Sequence, residues 1–107
     1  MKNIVNCTPH PITLFPENGD AFVIEKSGLI ARLSQTTKVV GEINGVNITE
    51  TQFGENVDLP EPKEGVFIIV SRIVLAANPD RKDLLAPNEL VRDENGQILG
   101  CKSLARN

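Results

Sequence analysis

Short apolar runs separated by turn residues set the pattern of this chain. Residues 2–7 read as a first strand and residues 12–15 as a second, joined by Thr8-Pro9-His10-Pro11. Pro16-Glu17-Asn18-Gly19-Asp20 carries turn chemistry, because Asn-Gly reaches positive φ cheaply. Residues 21–25 then read as a third strand, broken by Lys26-Ser27-Gly28. Residues 29–33 alternate weakly. The runs 38–43 and 46–49 flank Asn44-Gly45, the clearest hairpin signal in the chain. Alternation there sets Val46 and Ile48 on one face, with Asn47 and Thr49 on the other.

Residues 53–65 form the longest stretch without a pattern, with Gly54, Pro60, Pro62 and Gly65 among four acidic residues. They are expected to be a solvated connector or, alternatively, a flap over a pocket. Val66-Phe67-Ile68-Ile69-Val70 is the most hydrophobic run and shows no alternation. It is expected to be a central strand buried on both faces. The period changes at Ser71, a candidate N-cap, and Ile73, Val74, Ala76 and Ala77 suit a helix of about two turns. Asn78-Pro79 ends it. Residues 80–87 read as a connection. Leu90-Val91-Arg92, the Asp93-Glu94-Asn95-Gly96 turn and residues 97–101 read as a last hairpin, with a frayed tail from Ser103.

Eight or nine short strands and one short helix, with turns at regular intervals, predict a mainly β (α+β) single domain over residues 1–107. The expected architecture is a small antiparallel sandwich or barrel of hairpins, with the helix after the central strand. A chain of 107 residues closes one modest core. With no Trp or Tyr and four Phe, that core is aliphatic.

Composition narrows the function classes. The net charge is −3, and acids and bases are interspersed. A duplex binder shows a basic stripe, and a single-strand platform needs aromatic rings for stacking. This chain has neither, which argues against nucleic acid as a partner. No apolar run is long enough to span a membrane, and residues 1–5 lack the apolar core of a signal peptide. A cytoplasmic protein is the expectation. Cys7 and Cys101 fit reduced, buried packing residues in that compartment, with a disulfide or redox pair as the alternative.

Three places are candidates for chemistry. The first is the Thr8-Pro9-His10-Pro11 turn, which stiffens the backbone around the single histidine. Its imidazole could contact an anion, act as a general base or simply turn a strand corner. The second is Ser71-Arg72, where free backbone N–H groups, a hydroxyl and a guanidinium could meet an anion. The plainer alternative is a capping serine beside a surface arginine. The third is Arg81-Lys82, which Asp80 and Asp83 could neutralise. One histidine and no Cys-x-x-Cys spacing give no metal site, and no phosphate loop, dinucleotide fingerprint or nucleophile elbow is present. No cofactor is expected.

The opening Ile4-Val5-Asn6-Cys7-Thr8-Pro9-His10-Pro11-Ile12-Thr13 resembles the start of small proteins encoded by tailed phages, prophages and their bacterial hosts. Leu59-Pro60-Glu61-Pro62, residues 65–71, Pro79-Asp80-Arg81-Lys82-Asp83-Leu84 and Leu90-Val91-Arg92-Asp93 through Gly100-Cys101 carry the same resemblance. It implies phage association and no assigned active-site residues. Small acidic phage accessory proteins often antagonise host defence, by binding a host protein or by capturing or degrading a nucleotide signal. A weaker likeness to small viral ring nucleases does not extend to the motif around their histidine, so no role passes from them to His10.

These readings converge on a binding module that sequesters a small phosphorylated ligand, a nucleotide immune signal in a phage context, and forms a homo-oligomer. Thr8 and His10 are the candidates for base or ribose contacts, and Ser71, Arg72 and Arg81 for phosphate. The alternatives are a phosphodiesterase using His10 as acid or base, and a protein–protein inhibitor or virion component.

Overall fold

A computed structural model describes residues 3–107. Met1 and Lys2, which the sequence pattern assigns to the lead-in and the first strand, lie outside the described residues. The strands are β1 (Asn3–Asn6), β2 (Ile12–Leu14), β3 (Phe22–Ile24), β4 (Arg32–Ile43), β5 (Val46–Val57), β6 (Val66–Ile69), β7 (Leu84–Arg92) and β8 (Ile98–Ala105), with one helix, α1 (Arg72–Ala77), after β6. The molecule is mostly β, as the spacing of apolar runs predicts.

Six strands form one sheet in the order β1-β6-β7-β8-β2-β3. Its two ends almost meet. Asn6 bridges to Lys26 just beyond β3, and the Ser27 N–H donates to the Asn6 carbonyl at 2.9 Å. The sheet is therefore a nearly closed barrel, which leaves few bare edges.

The hairpin order expresses only half of the pairing. β2–β3, β4–β5 and β7–β8 are antiparallel, but β1–β6, β6–β7 and β2–β8 are parallel. β6 lies between two parallel neighbours, and Ile68, Ile69 and the adjoining Val70 are fully buried. That double burial explains its unbroken apolar run. Ile68, Val70, Val74, Leu75, Leu84, Ala86, Cys7 and Ala31 make the core, with Leu33, Leu59 and Val66 packed on its edge. Ser71 caps α1 as expected: its Oγ accepts from the Val74 N–H at 3.3 Å, and the helix stops at Asn78.

Three expectations need correction. Residues 53–57 are not irregular but the last part of β5, so only residues 58–65 remain a connector. Residues 84–87 belong to β7 rather than to a connection, and Ser103, Leu104 and Ala105 pair with Asn88, Pro87 and Ala86 instead of fraying. Residues 32–43 run as one strand rather than two short ones. In the β4–β5 hairpin both faces meet solvent over most of its length, so Ser34, Gln35, Thr36 and Thr37 carry no alternation to read.

That hairpin is an arm. Its two 12-residue strands pair only with each other, and Asn44 (φ 49°) and Gly45 (φ 82°) close it in the doubly left-handed turn that Asn-Gly favours. The radius of gyration is 16.7 Å. A compact domain of this length has about 13 Å, so the arm projects from the barrel.

Candidate functional site

Asn6 organises the only histidine. It is the one buried polar residue among those described, at 1% exposure, and it closes the Thr8–His10 turn with both ends of its amide. Its Nδ2 donates to the His10 carbonyl at 2.8 Å and to the Ile24 carbonyl at 3.1 Å. Its Oδ1 accepts from the Thr8 N–H at 3.0 Å and from the Thr8 hydroxyl at 2.6 Å. The turn's structural bonds thus fall on the His10 carbonyl. The His10 imidazole is exposed and, among the described residues, hydrogen-bonds to nothing.

This turn walls one side of a cavity of about 380 Å³ at the carboxyl ends of the parallel strands β1 and β6. Thr8, His10 and Pro11 come from the turn, and Ile12 and Thr13 from β2. Val70 and Ser71 follow β6, Pro87 and Leu90 lie on β7, and Ile98, Leu99, Gly100 and Cys101 lie on β8. Aliphatic side chains dominate the lining. Leu90, Ile98 and Leu99 are each about half exposed there, so the wall is open to a ligand. The volume is at the lower end of the range for small-molecule sites.

The fold thus brings three of the five candidate residues, Thr8, His10 and Ser71, to one cavity. Arg72 stands beside it. Its Nη2 donates to the Pro87 carbonyl at 3.3 Å and to Asn88 Oδ1 at 2.6 Å, which holds the guanidinium against a residue of the cavity wall. Among the described residues it makes no ion pair, so its charge is unspent.

Arg81 is placed elsewhere. Its Nε and Nη2 donate to the two oxygens of Asp83 at 2.9 and 2.8 Å, and Nη2 also reaches the Pro60 carbonyl at 3.0 Å. The fork of hydrogen bonds from Arg81 holds the Asp83 carboxyl below its ordinary value and raises the guanidinium in turn. Arg81 therefore clasps the α1–β7 connection to the loop before β6, and it does not line the cavity. Nor do any of residues 53–65, so that segment is not a flap over it.

The six-residue α1 is too short for a helix dipole of consequence. The Ser71 hydroxyl, already accepting from Val74, keeps its own proton to donate. Cys7 and Cys101 are both buried free thiols, and burial pushes the Cys101 thiol up. Among the described residues no three His, Cys, Asp or Glu side chains converge to hold a metal, and no helix is long and apolar enough to cross a membrane.

Sequence reasoning passed over Asn6 and the aliphatic wall. The signal for Asn6 is local: an Asn two residues before Thr8, at the end of an apolar strand, is the Asx-turn pattern. The wall has no comparable signal, since Leu90, Ile98 and Leu99 read as ordinary strand residues. Comparison with family models, with curated proteins and with solved structures finds no match to this chain.

Proposed function

We propose that this cavity binds a small ligand with a planar or apolar body and a phosphate, and holds it without converting it. The single observation that carries the reading is the meeting of Thr8, His10 and Ser71 in one aliphatic cavity, with the unpaired Arg72 tethered at Pro87. The aliphatic wall takes a nucleobase, and Thr8 and His10 meet the base or ribose. Ser71 and Arg72 supply donors for the phosphate, and charge-assisted bonds from a guanidinium suit that group. Arg81, neutralised by Asp83, contributes stability rather than ligand contact.

A bound ligand left intact fits the surroundings of His10. General base catalysis uses an imidazole within reach of a group that orients it. No side chain among those described orients this one. In the phage context implied by the resemblance, the ligand is a nucleotide signal of host defence and the protein is a sponge acting in the host cytoplasm.

Titration calorimetry with a panel of nucleoside mono- and diphosphates and cyclic nucleotides tests the reading. We expect one member to bind, His10→Ala and Arg72→Ala to weaken it at least about tenfold, which is about 1.4 kcal/mol each, and Arg81→Ala to leave affinity unchanged. A panel in which nothing binds overturns the proposal.

A further inference from the structure

The β4–β5 arm ends in a cluster that nothing among the described residues covers. Ile43, Val46 and Ile48 are 60%, 65% and 45% exposed. The register places them together: Ile43 pairs with Val46, and Gly41 with Ile48. Along β5 the same face continues to Glu50, whose cross-strand partner is Lys38. Lys38 and Glu50 are strand partners, yet among the described residues neither makes an ion pair. Past the register shift between Leu33 and Gln35, Leu33 and Asn56 fall on the opposite face, with Val39 and Phe53, and at the root of the arm they rest on the barrel, Leu33 against the core and Asn56 through Asn78. The face of Ile43, Val46 and Ile48 is thus the one opposite the root contact.

We infer that this face is the contact with a second copy of the chain. A two-fold axis along the arm, between two facing copies, lays β4 of one copy over β5 of the other. Every residue then meets its own cross-strand partner across the interface. Ile43 packs on Val46, and the Ile48 side chains, each lying over its own Gly41 with Cδ1 3.9 Å from where a Cβ would stand, meet across the axis. Lys38 of each copy meets Glu50 of the other. The face is self-complementary in charge and apolar at the tip, as a two-fold interface requires.

The arm is net acidic, with Arg32 and Lys38 against Glu42, Glu50 and Glu55, which disfavours an anionic lipid surface as its occupant. Strands of this length and spacing give a footprint of roughly 400 Å² per copy. A standard interface buries about 800 Å² per partner, so the dimer depends on concentration.

Sedimentation velocity across a concentration series tests this. The wild-type chain is expected to pass from monomer to dimer, and Ile43→Glu with Val46→Glu to raise the dissociation constant about tenfold or more. The charges give a sharper test, one that stands even if the tip variant folds poorly. Lys38→Glu alone and Glu50→Lys alone each set like charges across the interface and stay monomeric. Mixed together, they form a heterodimer in which every interfacial pair is opposite in sign. A wild-type chain that remains monomeric at the highest concentration overturns the inference. So does a mixture of the two single variants that forms no heterodimer. Neither outcome bears on ligand binding in the barrel cavity.

Discussion

The Asn6 side-chain amide donates to the His10 carbonyl across 2.8 Å, from a position with 1% exposure. A buried strand residue thereby sets the shape of an exposed turn, and the two prolines around His10 stiffen what Asn6 has placed. The imidazole is left free because the turn is held without it.

Asn6→Ala is expected to be among the most damaging single substitutions in the chain. It leaves the Ile24 carbonyl and the Thr8 N–H without their partner, while the Thr8 hydroxyl still reaches the His10 carbonyl at 3.0 Å, and each unsatisfied buried group costs about 1–3 kcal/mol. Chemical denaturation is expected to show a loss of about 3 kcal/mol or more. His10→Ala, which removes no hydrogen bond, is expected to change stability by less than about 0.5 kcal/mol.

Gly100→Ala tests the packing behind the cavity. A Cβ at Gly100 meets the Thr13 carbonyl and Phe15 Cε2, the latter at 2.7 Å, because β2 runs parallel and close to β8 there. The backbone oxygen cannot swing aside. A loss of about 1–3 kcal/mol is expected from overpacking, read as a lower denaturation midpoint.

The Arg81–Asp83 clasp adds an acid-sensitive component to stability. Asp83 has a depressed folded-state value, so its contribution is present above the unfolded carboxylate value near 4 and is lost as pH falls through the folded value. Asp83→Asn is therefore expected to destabilise at pH 7, and its gap from the wild type to narrow below about pH 4. Parallel denaturation series at the two pH values measure this, and a pH-independent gap would contradict it.

Native thiol labelling at neutral pH is expected to modify neither Cys7 nor Cys101. Both are buried, and burial raises the Cys101 thiol, which lowers its thiolate fraction. Mass spectrometry after alkylation counts the adducts, and prior denaturation is expected to expose both sites.

Much of the fold was legible from local chemistry. The run from Val66 to Val70, the Ser71 cap and the Asn44-Gly45 turn each carry a local chemical reason, and each stands where that reason puts it. The arm was half legible. Its turn speaks plainly, but Ser34 to Thr37 and Gln52 to Asn56 meet solvent on both faces and so lack a period. Parallel pairing was hidden for another reason: β1 joins β6 and β2 joins β8 across long stretches of chain, and local turns say nothing about such partners. Of the site, Thr8, His10 and Ser71 stood out as punctuation around apolar runs. Arg81 drew attention as part of a basic pair, while its commitment to Asp83 and Pro60 depends on the fold.

Native mass spectrometry of the protein, before and after incubation with an extract of bacterial cells that use nucleotide-based defence, tests the central claim most directly. The account predicts a mass increase of one nucleotide-sized ligand per chain, lost in Arg72→Ala and recovered chemically unchanged on denaturation. A protein that stays empty, or one that releases a cleaved product, would contradict it.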